Sequence, residues 1–387
     1  MLRACLLLAV PMLAGDWPQI LGPARDGRYD GPFAAQPSFK KIWERKVGEG
    51  FSAPSFAQGR VLIYHRLGQE DLLESLDPAT GKTQWTHRAP TAYRDDFGFS
   101  EGPRATPTAA DDRVYLFSAE SVLRAVDLAT GKQLWEVPFR ARKEYFGAAS
   151  SPVVEGDLVL ANAGGLFALD KRTGKQVWTA VPDEAGYSSP VVATIDGERH
   201  ALFFTRTGLV DVEPKTGRVR FQMRWRSRQA ASVNAALPLA VGNLVFLSAS
   251  YNTGATLLEV QGDRYRQLWE GDDQLSNHYA TSVHHEGFLY GFHGRQEMGQ
   301  ELRAVELRTG KVQWSIPVKA GTVALLKDQL LVVTESGEAW IGPASPKGFK
   351  PAKRQQLLPA VVRPYPAIAN GVLYLRNENT LAAFSLQ

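Results

Sequence analysis

The chain has 387 residues, of which 44% are hydrophobic and 22% are charged, and its formal net charge is +4. This composition excludes a disordered chain, and so mild an excess of dispersed basic residues argues against a nucleic-acid-binding protein. The 35 glycines and 23 prolines indicate many turns.

Residues 1–15 are predicted to form a secretory signal peptide. A cationic start precedes an apolar run from Ala4 to Leu13 and the small pair Ala14-Gly15, which is the order found in such signals. The run is shorter than the about 20 residues of a membrane-spanning helix; a buried strand or a short anchor is the alternative. We expect a periplasmic or secreted protein without a transmembrane segment. Asp16 stands where a lipoprotein signal has cysteine, so no lipidation is expected.

The only cysteine, Cys5, lies inside this predicted signal. Cysteine nucleophiles, cysteine-ligated zinc and iron–sulfur clusters are therefore excluded for the mature chain. Residues 16–38 are interpreted as an N-terminal extension, and residues 39–387 as one repeat domain.

A short pattern recurs along this domain: an acidic residue, then Thr-Gly, then an aromatic residue eight positions after the acid. Such a segment favours a hairpin, because the acid accepts turn N–H groups and glycine adopts a positive φ. The three clearest copies are Asp77-Gly81-Trp85, Asp127-Gly131-Trp135 and Asp170-Gly174-Trp178, and the softer two contain Gly217 with Phe221 and Gly310 with Trp314.

The spacing of the aromatic residues predicts the number of repeats. With Trp43 and Trp269 included, they recur every 42 to 50 residues, and a further period falls within Lys353 to Leu358. Each of the eight units contains four short β-like runs separated by glycine turns. We predict an all-β, eight-bladed propeller with four antiparallel strands per blade, with a sandwich or solenoid as the alternative.

The two ends of this domain predict how the ring closes. The C-terminal run Leu381 to Gln387 matches a third strand, whereas Lys40 to Glu44 is a fourth strand without predecessors. Pairing of these two runs would complete the last blade and protect its edges.

The repeat Ala-Leu-Asp-x-x-Thr-Gly-Lys-x-x-Trp, as at Ala168 to Trp178, resembles that of the pyrroloquinoline-quinone-like propeller family. The segment Asp16 to Pro23 is similar to the opening of secreted bacterial members. The resemblance covers almost the whole predicted mature chain and implies that the repeat tryptophans pack between blades. It does not fix the function, because this superfamily contains both quinoprotein dehydrogenases and non-enzymatic scaffolds such as BamB.

The longest repeat spacing indicates an insertion at Tyr93 to Ala105, which contains Arg94, Asp95, Asp96 and Glu101. It is compatible with a polar pocket, with or without a bound cation, or with a solvated loop tied by its own ion pairs. The second interpretation is favoured, because adjacent aspartates alone are weak evidence for acid–base chemistry.

Two other polar groups invite functional interpretations. His278, His284, His285 and His293 cluster in sequence, but adjacent strand residues point to opposite faces and no carboxylate completes a metal pattern, so no metal site is predicted. The basic runs Arg224 to Arg228 and Arg140 to Lys143 could hold phosphate, although a charged outer surface is the commoner meaning.

Residues that precede inner strands in different units are expected to meet at one channel mouth. We predict a ligand-binding funnel there, and the alternative is that these residues satisfy backbone groups. The predicted binding residues are Arg104, Asn234, Asn277, His278 and Tyr279.

Two functions are compatible with this pattern. The favoured one is a monomeric, non-catalytic scaffold that recognises a protein, peptide or glycan through one loop face and needs no cofactor. The other is a quinoprotein oxidoreductase of alcohols or sugars, with pyrroloquinoline quinone and Ca²⁺ on the axis. The chain lacks the vicinal cysteine pair and the matching calcium ligands that the resemblance implies for that class. Polysaccharide binding or cleavage is a weaker third possibility.

Overall fold

The computed structural model describes residues 15–139, 146–182, 186–229 and 232–387. Eight sheets stand around a central axis, which confirms the predicted eight-bladed propeller with four antiparallel strands per blade. Among the described residues the only helix is a short 3₁₀ turn, Gln296–Met298. None of these residues forms a helix with the length and hydropathy needed to cross a bilayer.

The first four blades follow one another along the chain. Within each blade the strands pair in sequence order from the axis outwards. Blade 1 contains β3 (Ser55–Ala57), β4 (Arg60–Leu67), β5 (Glu70–Leu76) and β6 (Thr83–Pro90), and blade 2 contains β7 (Thr108–Ala110), β8 (Arg113–Phe117), β9 (Val122–Asp127) and β10 (Gln133–Pro138). Blade 3 contains β11 (Val153–Glu155), β12 (Leu158–Asn162), β13 (Leu166–Asp170) and β14 (Gln176–Ala180), and blade 4 contains β15 (Val191–Ile195), β16 (Glu198–Phe204), β17 (Gly208–Val212) and β18 (Val219–Arg224).

The remaining blades include two strands from the N-terminal part of the chain, β1 (Arg28–Tyr29) and β2 (Lys41–Lys46). Blade 5 contains β19 (Leu239–Val241), β20 (Leu244–Ala249), β21 (Gly254–Gln261) and β22 (Arg264–Gly271), and blade 6 contains β23 (Val283–His285), β24 (Phe288–His293), β25 (Gln300–Glu306) and β26 (Val312–Val318). Blade 7 contains β27 (Gly321–Leu326), β28 (Gln329–Thr334), β29 (Glu338–Pro343) and β30 (Lys353–Gln356), and blade 8 contains β31 (Ala367–Ala369), β32 (Val372–Arg376) and β33 (Thr380–Ser385).

The ring closes through blade 8, as the sequence predicts. Strand β2 is its outermost strand and pairs antiparallel with the C-terminal β33, with Trp43 opposite Ala383 and Arg45 opposite Leu381. No blade edge is therefore left where the chain ends meet.

The hairpin turns of the repeat adopt the geometry that their residues favour. In the first copy the Asp77 carboxylate accepts the Thr80 N–H at 2.9 Å and the Thr80 hydroxyl at 2.7 Å. Gly81 has φ +69°, a conformation that favours glycine. The same two bonds recur at Asp127 and Asp170.

Five of the repeat tryptophans each pack against the turn glycine of the following blade. The indole Nε1–H of Trp43 donates to Pro78 O at 2.8 Å, and that of Trp178 donates to Pro214 O at 2.9 Å. A Cβ added to the turn glycines would lie 2.5–2.9 Å from the indole rings of the preceding blades. The pairs are Trp43 with Gly81, Trp85 with Gly131, Trp135 with Gly174, Trp178 with Gly217 and Trp269 with Gly310.

Hydroxyl groups link neighbouring blades next to the axis. Ala53 N–H donates to Thr106 Oγ1 at 3.2 Å, Thr106 N–H donates to Ser151 Oγ at 2.8 Å, and Ser151 N–H donates to Ser189 Oγ at 2.8 Å. On the other side of the ring, Leu237 N–H donates to Thr281 Oγ1 at 2.9 Å. These bonds satisfy backbone groups that the curved inner wall leaves without a strand partner.

Candidate functional site

The central channel is crossed by residues 16–29 of the N-terminal extension. Trp17 pairs with Phe56 of blade 1 through two backbone hydrogen bonds of 2.8 and 2.9 Å. At its other end the extension adds β1, parallel to β27, to the axial edge of blade 7. Between these anchors, Leu21 is buried in an apolar cluster that includes Leu237 and Tyr365. The extension therefore separates the channel into two mouths.

Arg25 fixes the middle of this extension to blades 3 and 4. Its guanidinium is buried and donates to Ser151 O at 3.1 Å, to Pro190 O at 2.7 Å, to Pro152 O and to Gln19 Oε1. Burial lowers the pKa of Arg25 to about 9, so the side chain is still a cation at neutral pH. Carbonyl oxygens therefore take the place of an acidic partner for this charge.

One of the two channel mouths is a funnel-shaped cavity of about 470 Å³, and Ile20 of the extension forms part of its floor. We call this cavity the funnel. It lies on the face where each outer strand connects to the next inner strand, the face that the sequence analysis predicts for binding. Aromatic and charged residues of its wall include Phe51, Phe97, Phe99, Arg104, Phe146, Tyr187, Tyr251, His278, Tyr279, Arg295, Glu297 and Arg363.

One side of the funnel is aromatic. Phe97 and Phe99 are each 50% exposed, and their ring centroids lie 4.9 and 5.9 Å from that of Phe146. Phe146 also contacts Tyr187, with a centroid distance of 5.8 Å. Half-exposed phenylalanines in a concave wall form an apolar surface that a partner can cover.

Asp95 holds this aromatic loop in place. Its carboxylate is fully buried and accepts the N–H groups of Phe97, Phe99 and Ser100 at 2.8–3.1 Å. Burial alone would raise the pKa of Asp95, but these donors and the charge of Arg104 lower it. The loop also contains the Arg94–Glu101 ion pair of 2.6 Å, as the ion-paired interpretation of this insertion expects.

The funnel also carries three arginines. Arg104 is bonded to Asp95 at 3.1 Å, its side chain is only 10% exposed, and its charge also acts on the Tyr93 hydroxyl. Arg104 and Arg363 each lie 5.6 Å from the centroid of the Phe51 ring. Arg295 lies 4.5 Å from the centroid of Tyr251. Two of these three cations therefore converge beside one aromatic ring.

The structure brings three of the five predicted binding residues to the funnel: Arg104, His278 and Tyr279. His278 Nε2 is bonded to the Tyr251 hydroxyl at 2.8 Å, while its Nδ1 has no partner. Burial lowers the pKa of His278 to about 4, so the imidazole is neutral at neutral pH. The Tyr279 hydroxyl is buried without a partner, and burial raises its pKa.

Asn234 and Asn277 lie behind the funnel wall. Asn234 Nδ2 donates to Thr205 O at 2.8 Å and to Trp225 O at 3.0 Å. Asn277 Nδ2 donates to Phe292 O at 2.9 Å, and its Oδ1 accepts the Ser282 hydroxyl. Both asparagines therefore satisfy backbone groups around the channel mouth, which the sequence analysis gave as the alternative to ligand binding.

The other histidines occupy separate environments. His284 Nε2 accepts the Gly287 N–H at 3.1 Å in the turn between β23 and β24, and His293 Nδ1 accepts the Ser276 N–H at 3.1 Å. Within the described parts of the chain, no three His, Cys, Asp or Glu side chains are arranged to hold a metal ion. The basic run Arg140 to Lys143 lies outside the described residues.

Several funnel residues were missed by sequence reasoning. Phe97 and Phe99 lie in the insertion that the repeat spacing identifies, whereas Phe146, Tyr187 and Arg363 belong to loops with no shared pattern. A search for aromatic residues in every loop before an inner strand would have found Phe146 and Tyr187.

The family model for outer membrane protein assembly factor BamB matches residues 35–181, 69–316 and 222–387. Among curated proteins, BamB of Moranella endobia is 21% identical over 327 residues, which are 80% of this chain and 70% of that protein. The 1-butanol dehydrogenase (cytochrome c) of Thauera butanivorans is 34% identical over 104 residues, 24% of this chain. That match spans only 15% of the dehydrogenase's length.

Among solved structures, quinohemoprotein alcohol dehydrogenase from Comamonas testosteroni has a TM-score of 0.66 at 13% identity. The superposition covers 96% of this chain and 80% of that one. At this identity the likeness concerns the fold alone.

Proposed function

Because the chain belongs to the BamB family of pyrroloquinoline-quinone-like propellers, we propose that it is a non-catalytic scaffold that binds a polypeptide segment in the funnel. The observation that carries this proposal is the funnel itself, an aromatic and arginine-lined cavity at one face of a rigid ring. Aromatic residues and arginine are the residue types enriched in binding hot spots. We expect this binding to take place in the periplasm or outside the cell.

The extent of the similarity favours a scaffold over a dehydrogenase. The match to BamB of Moranella endobia runs through 80% of this chain, whereas the match to the butanol dehydrogenase involves 24% of it. The sequence similarity therefore extends over most of the ring for the first relative and over only about two blades' length for the second.

The residues of the funnel do not fit pyrroloquinoline quinone with Ca²⁺. Calcium requires six to eight oxygen ligands, mostly carboxylates and carbonyls. Glu297 is the only carboxylate among the described residues that line the funnel, and Arg295 lies 3.4 Å from it. Ile20 and Leu21 also occupy the axis below.

Peptide selection tests the proposal directly. A phage-displayed library of random dodecapeptides is panned on the purified protein, and the affinities of selected peptides are measured by calorimetry. The double variant Phe97→Ala/Phe99→Ala should weaken binding at least tenfold at an unchanged melting temperature, because it removes the aromatic wall. Leu134→Ala/Val177→Ala is the matched control, since both side chains are exposed apolar groups on outer strands.

Two results would count against the scaffold. One is tight binding of pyrroloquinoline quinone and Ca²⁺ together with dye-linked alcohol oxidation. The other is a set of selected peptides, or of oligosaccharides tested in parallel, whose binding ignores the Phe97/Phe99 variant but responds to the control.

A further inference from the structure

A second cavity with a different chemistry adjoins the funnel. This basic groove has a volume of about 650 Å³ and is lined by the segment Arg224 to Gln229 of blade 4 and by Tyr251 and Glu270 of blade 5. Gln229 and Tyr251 line both the funnel and the groove. A ligand seated in the funnel can therefore continue into the groove without leaving the protein surface.

The groove carries a positive charge. Arg224, Arg226 and Arg228 all line it, and Glu270 is the only acid among its described lining residues. Arg224 and Arg228 are exposed, whereas the intervening Trp225 and Ser227 are buried. The alternation of an extended segment thus directs three arginines outwards and uses the other residues to anchor them.

A depression on the other side of Tyr251 carries a negative charge. It is lined by Asp272, Asp273 and Glu301 together with Arg295 and Arg303. Arg303 is paired with Glu301 at 2.6 Å and Arg295 with Glu297 at 3.4 Å, so the two aspartates leave this side acidic. The two exits from the funnel are therefore distinguished by charge.

We infer that the partner segment of the proposed scaffold is acidic, with an aromatic or aliphatic side chain seated in the funnel and carboxylates lying along the groove. This inference rests on the proposed function. The apolar group packs on Phe97, Phe99 and Phe146 in the funnel. The following acidic residues turn towards Arg224 and Arg228 and away from Asp272 and Asp273. Hydrogen bonds between arginine and carboxylate are charge-assisted, so the exposed Arg224 and Arg228 favour an acidic partner.

Four fluorescein-labelled dodecapeptides provide the probes. One contains Phe-Tyr followed by four glutamates, two replace the glutamates by glutamine or by lysine, and the last keeps the glutamates but replaces Phe-Tyr by Ser-Ser. Affinities are measured by fluorescence polarisation at 50 and 500 mM NaCl. The acidic aromatic peptide should bind at least tenfold more tightly than the other three, and added salt should reduce this preference.

Protein variants assign the two parts of the ligand. Arg224→Gln/Arg228→Gln should weaken the acidic aromatic peptide about fivefold to tenfold and leave the glutamine peptide unchanged. Phe97→Ala/Phe99→Ala should weaken the acidic aromatic and glutamine peptides alike, because both place their apolar residues on the aromatic wall. The control Arg264→Gln/Arg308→Gln removes the same charge from exposed positions at the opposite ends of the blades and should have no effect.

The outcomes separate the inference from the function on which it rests. If the acidic and glutamine peptides bind equally and both require Phe97 and Phe99, the acidic partner is wrong while the peptide scaffold stands. If no peptide binds, the proposed function fails as well. Binding of phosphatidylglycerol vesicles that is lost in Arg224→Gln/Arg228→Gln, without peptide binding, would instead identify the groove as a membrane-surface site and overturn the inference.

Discussion

At the scale of single residues, Glu74 connects the closing strand to the first blade. Its carboxylate accepts Arg45 Nη2 at 2.9 Å, Thr83 Oγ1 at 2.8 Å and His65 Nε2 at 2.9 Å. The Gly48 N–H donates to His65 Nδ1, so the tautomer with the proton on Nε2 satisfies both contacts of the ring. Arg45 belongs to β2 of blade 8 and Glu74 to β5 of blade 1, so this network spans the seam of the ring.

Glu74→Gln should lower the free energy of unfolding by about 2 kcal/mol at pH 7, because a charged acceptor of three donors is lost. Burial alone would raise the pKa of Glu74, but the bonds from His65 and Thr83 and the charge of Arg45 lower it from 4.5 to about 2. The folded-state pKa is thus depressed. Its stabilising effect is complete above about pH 4.5 and is lost as the pH falls towards 2.

Urea denaturation at pH 7, 4.5 and 3 measures this dependence. The difference between wild type and Glu74→Gln should shrink as the pH decreases. Glu70→Gln provides the control, since Glu70 is 47% exposed and its pair with Arg88 lies at the surface. A difference that stays constant down to pH 3 would mean that the carboxylate charge is not what stabilises the seam.

At the scale of elements, neighbouring blades are joined by the contact between a tryptophan and a glycine turn. Gly131 has φ +75°, and an added Cβ would lie 2.5 Å from Trp85 Cε3. Gly156, in the turn between β11 and β12, has φ +57°, and nothing lies within 4 Å of its added Cβ. The two glycines share a left-handed backbone conformation, but only Gly131 contacts a side chain of the neighbouring blade.

Gly131→Ala should therefore destabilise the protein more than Gly156→Ala. The shared left-handed conformation costs each variant about 1 kcal/mol, and displacement of Trp85 should add about 1–3 kcal/mol for Gly131→Ala alone. Chemical denaturation monitored by tryptophan fluorescence gives both free energies of unfolding. Equal losses would show that Trp85 moves without cost and that the contact does not stabilise the ring.

The repeat pattern made the arrangement of the blades predictable. Hairpin turns, strand number and the pairing of β2 with β33 all follow from local residues that recur at a fixed period. The path of the extension across the channel could not be predicted in this way. Arg25 makes its contacts with Ser151, Pro152 and Pro190, which are more than 120 residues away and belong to no repeated pattern.

The funnel was only partly predictable for a related reason. Arg104, Asn234 and Asn277 all precede an inner strand, yet only Arg104 lines the cavity. Position in the repeat fixes where the backbone lies, whereas the direction of a loop side chain depends on its hydrogen-bond partners. Short amides reach nearby carbonyls, as Asn234 reaches Thr205 O, while a long guanidinium extends past them into the channel.

At the scale of the whole molecule, the extension blocks the central channel between its two mouths, of which the funnel is the aromatic one. Pro18 O accepts the Ala109 N–H at 2.8 Å, and Gly27 O accepts the Leu325 N–H at 2.9 Å. Arg25 connects the middle of this segment to carbonyls of blades 3 and 4. Inner strands from opposite sides of the ring are therefore coupled through one segment rather than only through their neighbours.

Arg25→Met tests this coupling, because methionine keeps an unbranched side chain and removes every donor. The carbonyls of Ser151, Pro152 and Pro190 would lose a charged donor inside a buried site, which should cost about 3 kcal/mol. Hydrogen exchange measured by mass spectrometry should accelerate in residues 16–29 and in the inner strands β7 and β27, whose N–H groups bond to the extension. The outer strands β10 and β14 should keep their protection.

Arg28→Met is the control, since Arg28 lies in the same segment but is 44% exposed and pairs only with Asp30. Acceleration spread evenly over inner and outer strands would show that Arg25 stabilises the propeller globally and does not act as the fixed point of a separate plug.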